Sequence, residues 1–215
     1  YSSETVVHPD NDYSYRIYVV NSAGGILDHI VAYDILEAAN AEGENAWKGT
    51  FRGVDTSAAE ALGVDAKVYY STRTDLDYTD DVCVNLMDFS SDGQPNEAFW
   101  TDAMPADPST VTAVAVDLRT RKDGTEYQIS GENSIYVDIL MHSPGELLEG
   151  CEYAYNRAAY GSRLTIIGSN LPNETFGTSG RTMVALHELQ KLTVRKMAEV
   201  EVPRETPDGE EPETH

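Results

Sequence analysis

The sequence predicts an all-β protein, an antiparallel Ig-like or jelly-roll-like sandwich of about ten strands with one or two short helices. Three observations predict it. Apolar residues recur at every second position in segment after segment, most cleanly in residues 134–142, where Ile135, Val137, Ile139 and Met141 alternate with Tyr136, Asp138 and His142. Tyrosine, at 13 residues, far outnumbers Phe at 4 and Trp at 2; its apolar ring and polar tip suit half-buried strands. No rhythm of strand, long helix, strand runs through the chain, which removes the parallel α/β classes.

Taken in order, residues 1–7 read as a short edge strand that ends at the turn-forming HPDND of residues 8–12. Residues 13–36 read as a hairpin. Tyr13, Tyr15, Ile17 and Val19 share one face of the first strand, Asn21, Ser22, Gly24 and Gly25 supply the reversal, and His29, Val31, Tyr33 and Ile35 alternate with Asp28, Ile30, Ala32 and Asp34 in the second. Residues 37–45 are polar and alanine-rich, a loop with one helical turn at most, and residues 46–51, carrying Trp47 and Phe51, read as a strand. Residues 56–62, TSAAEAL, open on a capping-type Thr and stop at Gly63, giving a two-turn helix.

Residues 66–72 are a strand, 75–81 (DLDYTDD) an acidic loop, and 82–87 a strand with Val82, Val84 and Leu86 on one face. Within the loop-like residues 88–110 the sequence NEAFW reads as a short helix. Residues 111–118 form a strand with Val114, Val116 and Leu118 on one face, and Asp123-Gly124 marks a turn. Residues 152–167 are extended, 168–180 a Gly/Asn/Pro/Ser loop, and 182–187 the closing strand. Residues 1–188 thus make one β-sandwich domain. Residues 189–215 are a linker with the first strand of a following domain, because the acidic, Pro-rich end PRETPDGEEPETH holds no core residues.

The formal charge of −22 argues against nucleic acid and anionic membrane surfaces as partners, and no stretch approaches the roughly 20 apolar residues of a membrane span. Cys83 and Cys151 either close a loop of about 70 residues, a stabilisation of roughly 4 kcal/mol in the chain-entropy view, or are two small buried hydrophobes. Their spacing does not suit zinc.

The pattern Y-x-I-x-V-x-N, a glycine turn, then V-x-Y-D-x-L resembles the repeated Ig-like β-sandwich domains of large Gram-positive surface and adhesin proteins. VTAVAVDL after its DPST turn, SIYVDILMHSP, YAYN and MVALHE extend the resemblance over most of residues 13–188. KLTVRKMAEV, residues 191–200, is similar to the first strand of a collagen-adhesin B-type repeat. That resemblance implies an isopeptide bond from Lys196 to an Asn or Asp beyond residue 215. It also implies an extracellular, cell-wall-attached protein whose further domains belong to the same chain.

Catalytic motifs are absent from the sequence. His187-Glu188 lacks the second histidine of a metalloprotease, and there is no nucleophile elbow, P-loop or dinucleotide fingerprint. The expectation is a non-enzyme without a resident cofactor. Calcium is the ion its loops would take: Asp75, Asp77, Asp80 and Asp81 offer hard oxygens on one loop and Asp10 with Asp12 on another, the competing reading being solvated acidic loops. Inside the main domain, Lys67 and Asn156 are the pair to inspect for an isopeptide. Two functions follow as expectations. The first is a stalk or adhesin domain that spaces a binding region from the wall; the other is a module that binds a glycan or host protein through aromatic residues or an inter-sheet site.

Overall fold

The computed structural model describes residues 4–22, 24–37, 45–76, 78, 96–147, 149–166, 168 and 172–187. These form an all-β sandwich of three sheets. The first carries β2 (Asp12–Val20), β8 (Ser134–His142) and β4 (Thr50–Asp55), in the order β2-β8-β4. β8 behaves as its alternation dictates: Ile135, Val137, Ile139 and Met141 are buried to 1% exposure or less, and the intervening side chains face outward. β2 pairs with it along its whole length, from Asp12 opposite His142 to Val20 opposite Ser134. On the outer face Arg16 grips Asp138 through Nε and Nη2, both at 2.7 Å, and its guanidinium lies 3.9 Å from the Tyr136 ring centre.

The second sheet has six strands. β11 (Asn173–Thr178), β10 (Ala158–Ile166), β3 (Gly25–Ile35), β6 (Ala113–Asp117) and β5 (Lys67–Ser71) lie in that order, and β7 (Ile129–Ser130) also pairs with β3. The third sheet, β1-β12-β9, joins β1 (Glu4–Val7), β12 (Thr182–Leu186) and β9 (Tyr153–Asn156). Here the first and last described strands run parallel, Glu4 opposite Met183 through Val7 opposite Leu186.

Residues 13–36 contain the two expected strands but not the expected hairpin. β2 pairs with β8, and β3 pairs with β10 and β6, in a different sheet. Burial explains the separation. β2 is buried on one face only, as suits an edge strand, while β3 is buried on both faces over nearly all its length and belongs in the middle of a covered sheet. Asn21 manages the crossing: fully buried, it donates through Nδ2 to the carbonyls of Gly25 and Ile129, each at 2.8 Å.

A bulge divides β3. Asp28 pairs with Arg163 and Val31 with Gly161, so His29 and Ile30 together oppose Ser162, and His29 takes a φ of 54°. The extra residue shifts the phase of alternation. Leu27, Ile30 and Ala32 enter the main core, whereas Val31, Tyr33 and Ile35 enter a second core on the sheet's other face. All three sheets contribute to the main core, through Ile17, Val137, Val116, Leu186 and their neighbours. The second core is closed by Trp100, with Phe99, Leu76 and Tyr78 packed against it.

Other elements depart from expectation. Residues 168–180 are not all loop, since 173–178 form β11, whose Thr175 meets Ser162 across the ladder at 2.7 Å. NEAFW is a turn rather than a helix, closed by Trp100 N–H on the Asn96 carbonyl at 3.0 Å. The strand expected at 46–51 is only a bridge at Ala46, with β4 starting at Thr50. The helix stands as Ser57–Ala61, its first free N–H met by Asp55 Oδ1 at 2.9 Å and not by the Thr56 hydroxyl, which bonds Glu60 instead. The strand expected at 82–87 and the tail from 189 onward lie outside the described residues.

Because β8 is the central strand of its sheet and its inward side chains are wholly buried, Ile139→Ala is expected to cost about 2–5 kcal/mol in denaturant unfolding. Leu140→Ala, on the outer face of the same strand and 38% exposed, should change stability by only about 0.5 kcal/mol. Equal losses at the two positions would show the face assignment to be wrong.

Candidate functional site

Two acidic side chains lie inside the protein where strands of the three sheets meet. Asp34, near the end of β3, is 0% exposed, and Glu37, just beyond that strand, is 1% exposed. Asn156, the last residue of β9, links them: its Nδ2 donates to Asp34 Oδ2 at 2.8 Å, and its Oδ1 accepts from the Glu37 backbone N–H at 2.9 Å. Glu37 is saturated with donors. Tyr13 and Tyr15 of β2 donate their hydroxyls to Oε1 at 2.7 and 3.1 Å, and the Gly49 N–H donates to Oε2 at 2.8 Å. Trp47 meets the Tyr13 ring edge-on, with centres 5.5 Å apart.

Local backbone explains how these groups arrive. Glu37 adopts a φ of 52°, which turns the chain at the end of β3. Only Arg157 separates β9 from β10, so the chain changes sheet immediately after Asn156 and carries that side chain inward. Position 49 must be glycine, because a Cβ there would collide with the Tyr13 hydroxyl and with the His142 carbonyl.

Burial sets the electrostatics. Asp34 is pushed up to about 8 by loss of water, only partly offset by the Asn156 hydrogen bond and reinforced by the negative Glu37, so the carboxyl is largely protonated at neutral pH. Its Oδ1 has no hydrogen-bond partner among the described residues. Glu37 is also raised by burial, but the Tyr13, Gly49 and Tyr15 donors and the charge of Lys48 oppose the shift. Both tyrosine hydroxyls are driven upward, first by burial and then by the Glu37 charge, and so keep the protons they donate to Glu37.

Beside this cluster a groove of about 680 Å³ opens between the sheets. Residues 14–18 and Val20 of β2 form one wall, and Thr5 of β1, residues 182–184 of β12 and residues 158–160 of β10 contribute to the others. Tyr15 and Asn156 belong both to the groove lining and to the buried cluster. Val6, Tyr18 and Val20 are 53%, 43% and 41% exposed, leaving large apolar side chains on β1 and β2 open to solvent.

Of the residues singled out in the sequence, only Asn156 falls in this site. Lys67 is exposed on β5, opposite Asp117 and on the far side of the six-stranded sheet from β10, so the structure does not bring it to Asn156. Asn156 also spends its amide on Asp34 and Glu37. Cys151 is half-buried against the main core. Cys83, Lys196, Asp77, Asp80 and Asp81 lie outside the described residues. Asp75 is held by Arg73 in a two-pronged pair of 2.8 and 2.5 Å. Asp10 and Asp12 flank the two nitrogens of His142, at 3.1 and 2.7 Å, and do not converge on a common cation position. Those bonds, with Asp12 the stronger cause, raise the His142 pKa.

Sequence reasoning passed over Asp34, Glu37, Tyr13 and Tyr15. It also passed over Asp28, His29 and Glu126, whose ligand atoms lie within 4.8 Å of one another. Arg163 occupies that second cluster, donating to Asp28 at 2.8 Å and to Glu126 at 3.1 Å, and makes it an ion-pair network on the β3 bulge.

Fold and site together define an all-β sandwich with a buried carboxyl–amide–tyrosine cluster next to an inter-sheet groove. No protein-family model and no curated protein matches the chain. Among solved structures the chain is similar to AvmM, which catalyzes macrocyclization in alchivemycin A biosynthesis, at a TM-score of 0.33 and 11% identity over 85% of this chain and 83% of that one. A likeness at that level bears on neither fold nor activity.

The cluster makes stability depend on pH with a definite sign. Asp34 ionises near 8 when folded and near 3.8 otherwise, so its contribution is full below about pH 4 and declines as pH rises towards 8. Urea unfolding is expected to show a less stable protein at about pH 8 than at about pH 5, with Asp34→Asn flattening that slope. A variant whose slope matches the parent protein would place the effect elsewhere, in the general repulsion of an acidic chain.

Proposed function

We propose that this chain is a structural stalk or adhesin domain of a bacterial surface protein, extracellular and attached to the cell wall, a non-catalytic spacer that holds a binding region outward. One observation carries the reading: β1 and β12, the first and last described strands, pair in parallel. When tension is applied to the chain before β1 and after β12, two parallel neighbours are pulled in opposite directions along their own axes. Every hydrogen bond between them is then loaded at once, whereas an antiparallel terminal pair would open one bond at a time. The bond from His187 N–H to the Val7 carbonyl, 3.0 Å long, extends this clamp to the end of the strand. The resemblance to Gram-positive repeat domains supports the same reading, as does the net charge of −22, which keeps neighbouring stalks apart.

A second reading, a module that binds a glycan or host protein, is favoured by the groove beside β2 and its exposed apolar residues. The two are compatible: Thr5, Met183 and Val184 of the β1-β12 ladder also line the groove, but its longest wall is β2, which belongs to another sheet. No helix among the described residues is long and apolar enough to cross a membrane.

Single-molecule pulling tests the stalk reading. With handles outside residues 4–187, unfolding should require a clearly higher force than with handles at the exposed positions 157 and 181, which peel β9 from β12. Thr5→Pro removes a donor from the parallel ladder and should bring the end-to-end force down towards the peeling value. Equal forces in the two geometries would overturn the reading.

A further inference from the structure

We propose that the turn of residues 8–12 is a proton-operated latch: His142, clasped between Asp10 and Asp12, fixes the turn to the end of β8, and rising pH releases it. The turn leads directly from β1 into β2, so it stands between the parallel β1-β12 ladder and the β2-β8 ladder. The latch stands on its own geometry, whereas its effect on load rests on the stalk reading.

The two ring nitrogens decide the protonation state. His142 Nδ1 lies 2.7 Å from Asp12 Oδ1, and Nε2 lies 3.1 Å from Asp10 Oδ1. A neutral imidazole has one N–H and one lone pair, so it donates to one carboxylate and turns the lone pair on the other. Only the imidazolium satisfies both contacts. The backbone arranges the clasp from two directions. Asp12 stands opposite His142 in the β2-β8 ladder, and Asp10 reaches the ring from a residue whose φ is 59°. That left-handed backbone is costly for a residue other than glycine, so a turn that loses its tie has a relaxed form to move to. Neutral groups hold the rest of the turn. Asp10 N–H bonds the Pro144 carbonyl and Asn11 N–H the Ser143 hydroxyl, each at 3.0 Å, and that hydroxyl donates to the His8 carbonyl at 2.8 Å. They keep the turn close to β8 when the ring is neutral, which makes the release local.

The charges around the ring set its direction. Asp12 on β2 and Asp10 on the turn favour the imidazolium, and Arg52 on β4 opposes it. Further along the outer face of β8, Asp138 is neutralised by Arg16. The helix Ser57–Ala61, which also packs on β8, spends Glu60 on Thr56 and Lys122. The His8 ring is engaged by the His187 carbonyl at 2.8 Å. Asp12 and Asp10 raise the His142 pKa above its ordinary 6.5, so the latch is closed below that value and opens as pH rises through the raised one. Both carboxylates are largely exposed, so salt weakens the clasp.

Carbon-detected NMR of the full chain, run from about pH 6 to about pH 9, follows the His142 ring and the Asp10 Cα together. The ring is expected to titrate above the ordinary imidazole range, and the Asp10 Cα to leave its left-handed shift with the same midpoint. Asp12→Asn should lower the ring midpoint more than Asp10→Asn does, because Asp12 makes the shorter bond. In His142→Gln, which keeps an uncharged donor, the Asp10 Cα should no longer respond to pH. A ring midpoint at or below the ordinary value overturns the proposal. So does a raised midpoint with an unmoved Asp10 Cα, since the proton would then hold nothing, and so does a response that survives in His142→Gln. Pulling on Asp34→Asn, which removes the other pH-dependent group, tests the load: the end-to-end force should be lower at about pH 9 than at about pH 6. An unchanged force beside the NMR response overturns the mechanical role and leaves the latch standing. Equal forces in the two pulling geometries sink the stalk reading without touching the latch.

Discussion

Everything in this sandwich is arranged around the burial of Asp34 and Glu37. Taking a carboxylate out of water costs several kcal/mol unless it is neutralised or met by donors. The protein does one of these for each group. Asp34 stays protonated to about pH 8 with one oxygen on Asn156, and Glu37 collects two hydroxyls and a backbone N–H. The donors come from β2, from the end of β9 and from the approach to β4, while the acids lie on and just after β3. One polar cluster therefore requires all three sheets to be in register simultaneously. Apolar contacts alone tolerate small slips, whereas a saturated buried carboxylate does not.

That requirement explains several otherwise unrelated features. Gly49 must lack a side chain so that its N–H can approach Glu37 beside the Tyr13 hydroxyl. Glu37 must adopt a left-handed backbone to fold back from β3. The chain must cross from β9 to β10 with a single intervening residue, which buries Asn156 at the crossing. Each is locally costly, and each is offset by a hydrogen bond to a buried acid.

The strands themselves were legible. The alternation of Ile135, Val137, Ile139 and Met141 named the buried face of β8, and Val114, Val116 and Leu118 named one face of β6. Pairing was not legible, because alternation reports which face of a strand is wet and not which strand lies beside it. The second strand of residues 13–36 is apolar on both faces, and that was the sequence signal against an edge hairpin. The bulge at His29 left no mark beyond a histidine in an apolar run. The cluster was hidden for a further reason. Glu37 stands at the head of a polar, alanine-rich stretch, and only tertiary structure reveals it as buried. Asn156 stood out as a side chain in need of a partner, but the partner proved to be a carboxyl and not a lysine.

The failure of the hairpin and the existence of the groove are one fact. Had β2 turned back onto β3, it would have paired with an eleven-residue neighbour and the two sheets would have merged. Instead Asn21 supplies from its side chain the bonds that carry the chain across, β3 goes to the middle of the covered sheet, and β2 stands, among the described residues, at the rim of its own. The buried cluster then holds that rim at a fixed distance from β10 and β12, because Tyr13 and Tyr15 are tied by their hydroxyls to the same glutamate that bonds Asn156. A groove wall held in place by a buried polar lock is ordered in advance, which removes the cost of ordering it on binding. The parallel β1-β12 ladder lies next to this arrangement and shares none of the β2-β8 hydrogen bonds, although Thr5, Met183 and Val184 of that ladder also line the groove.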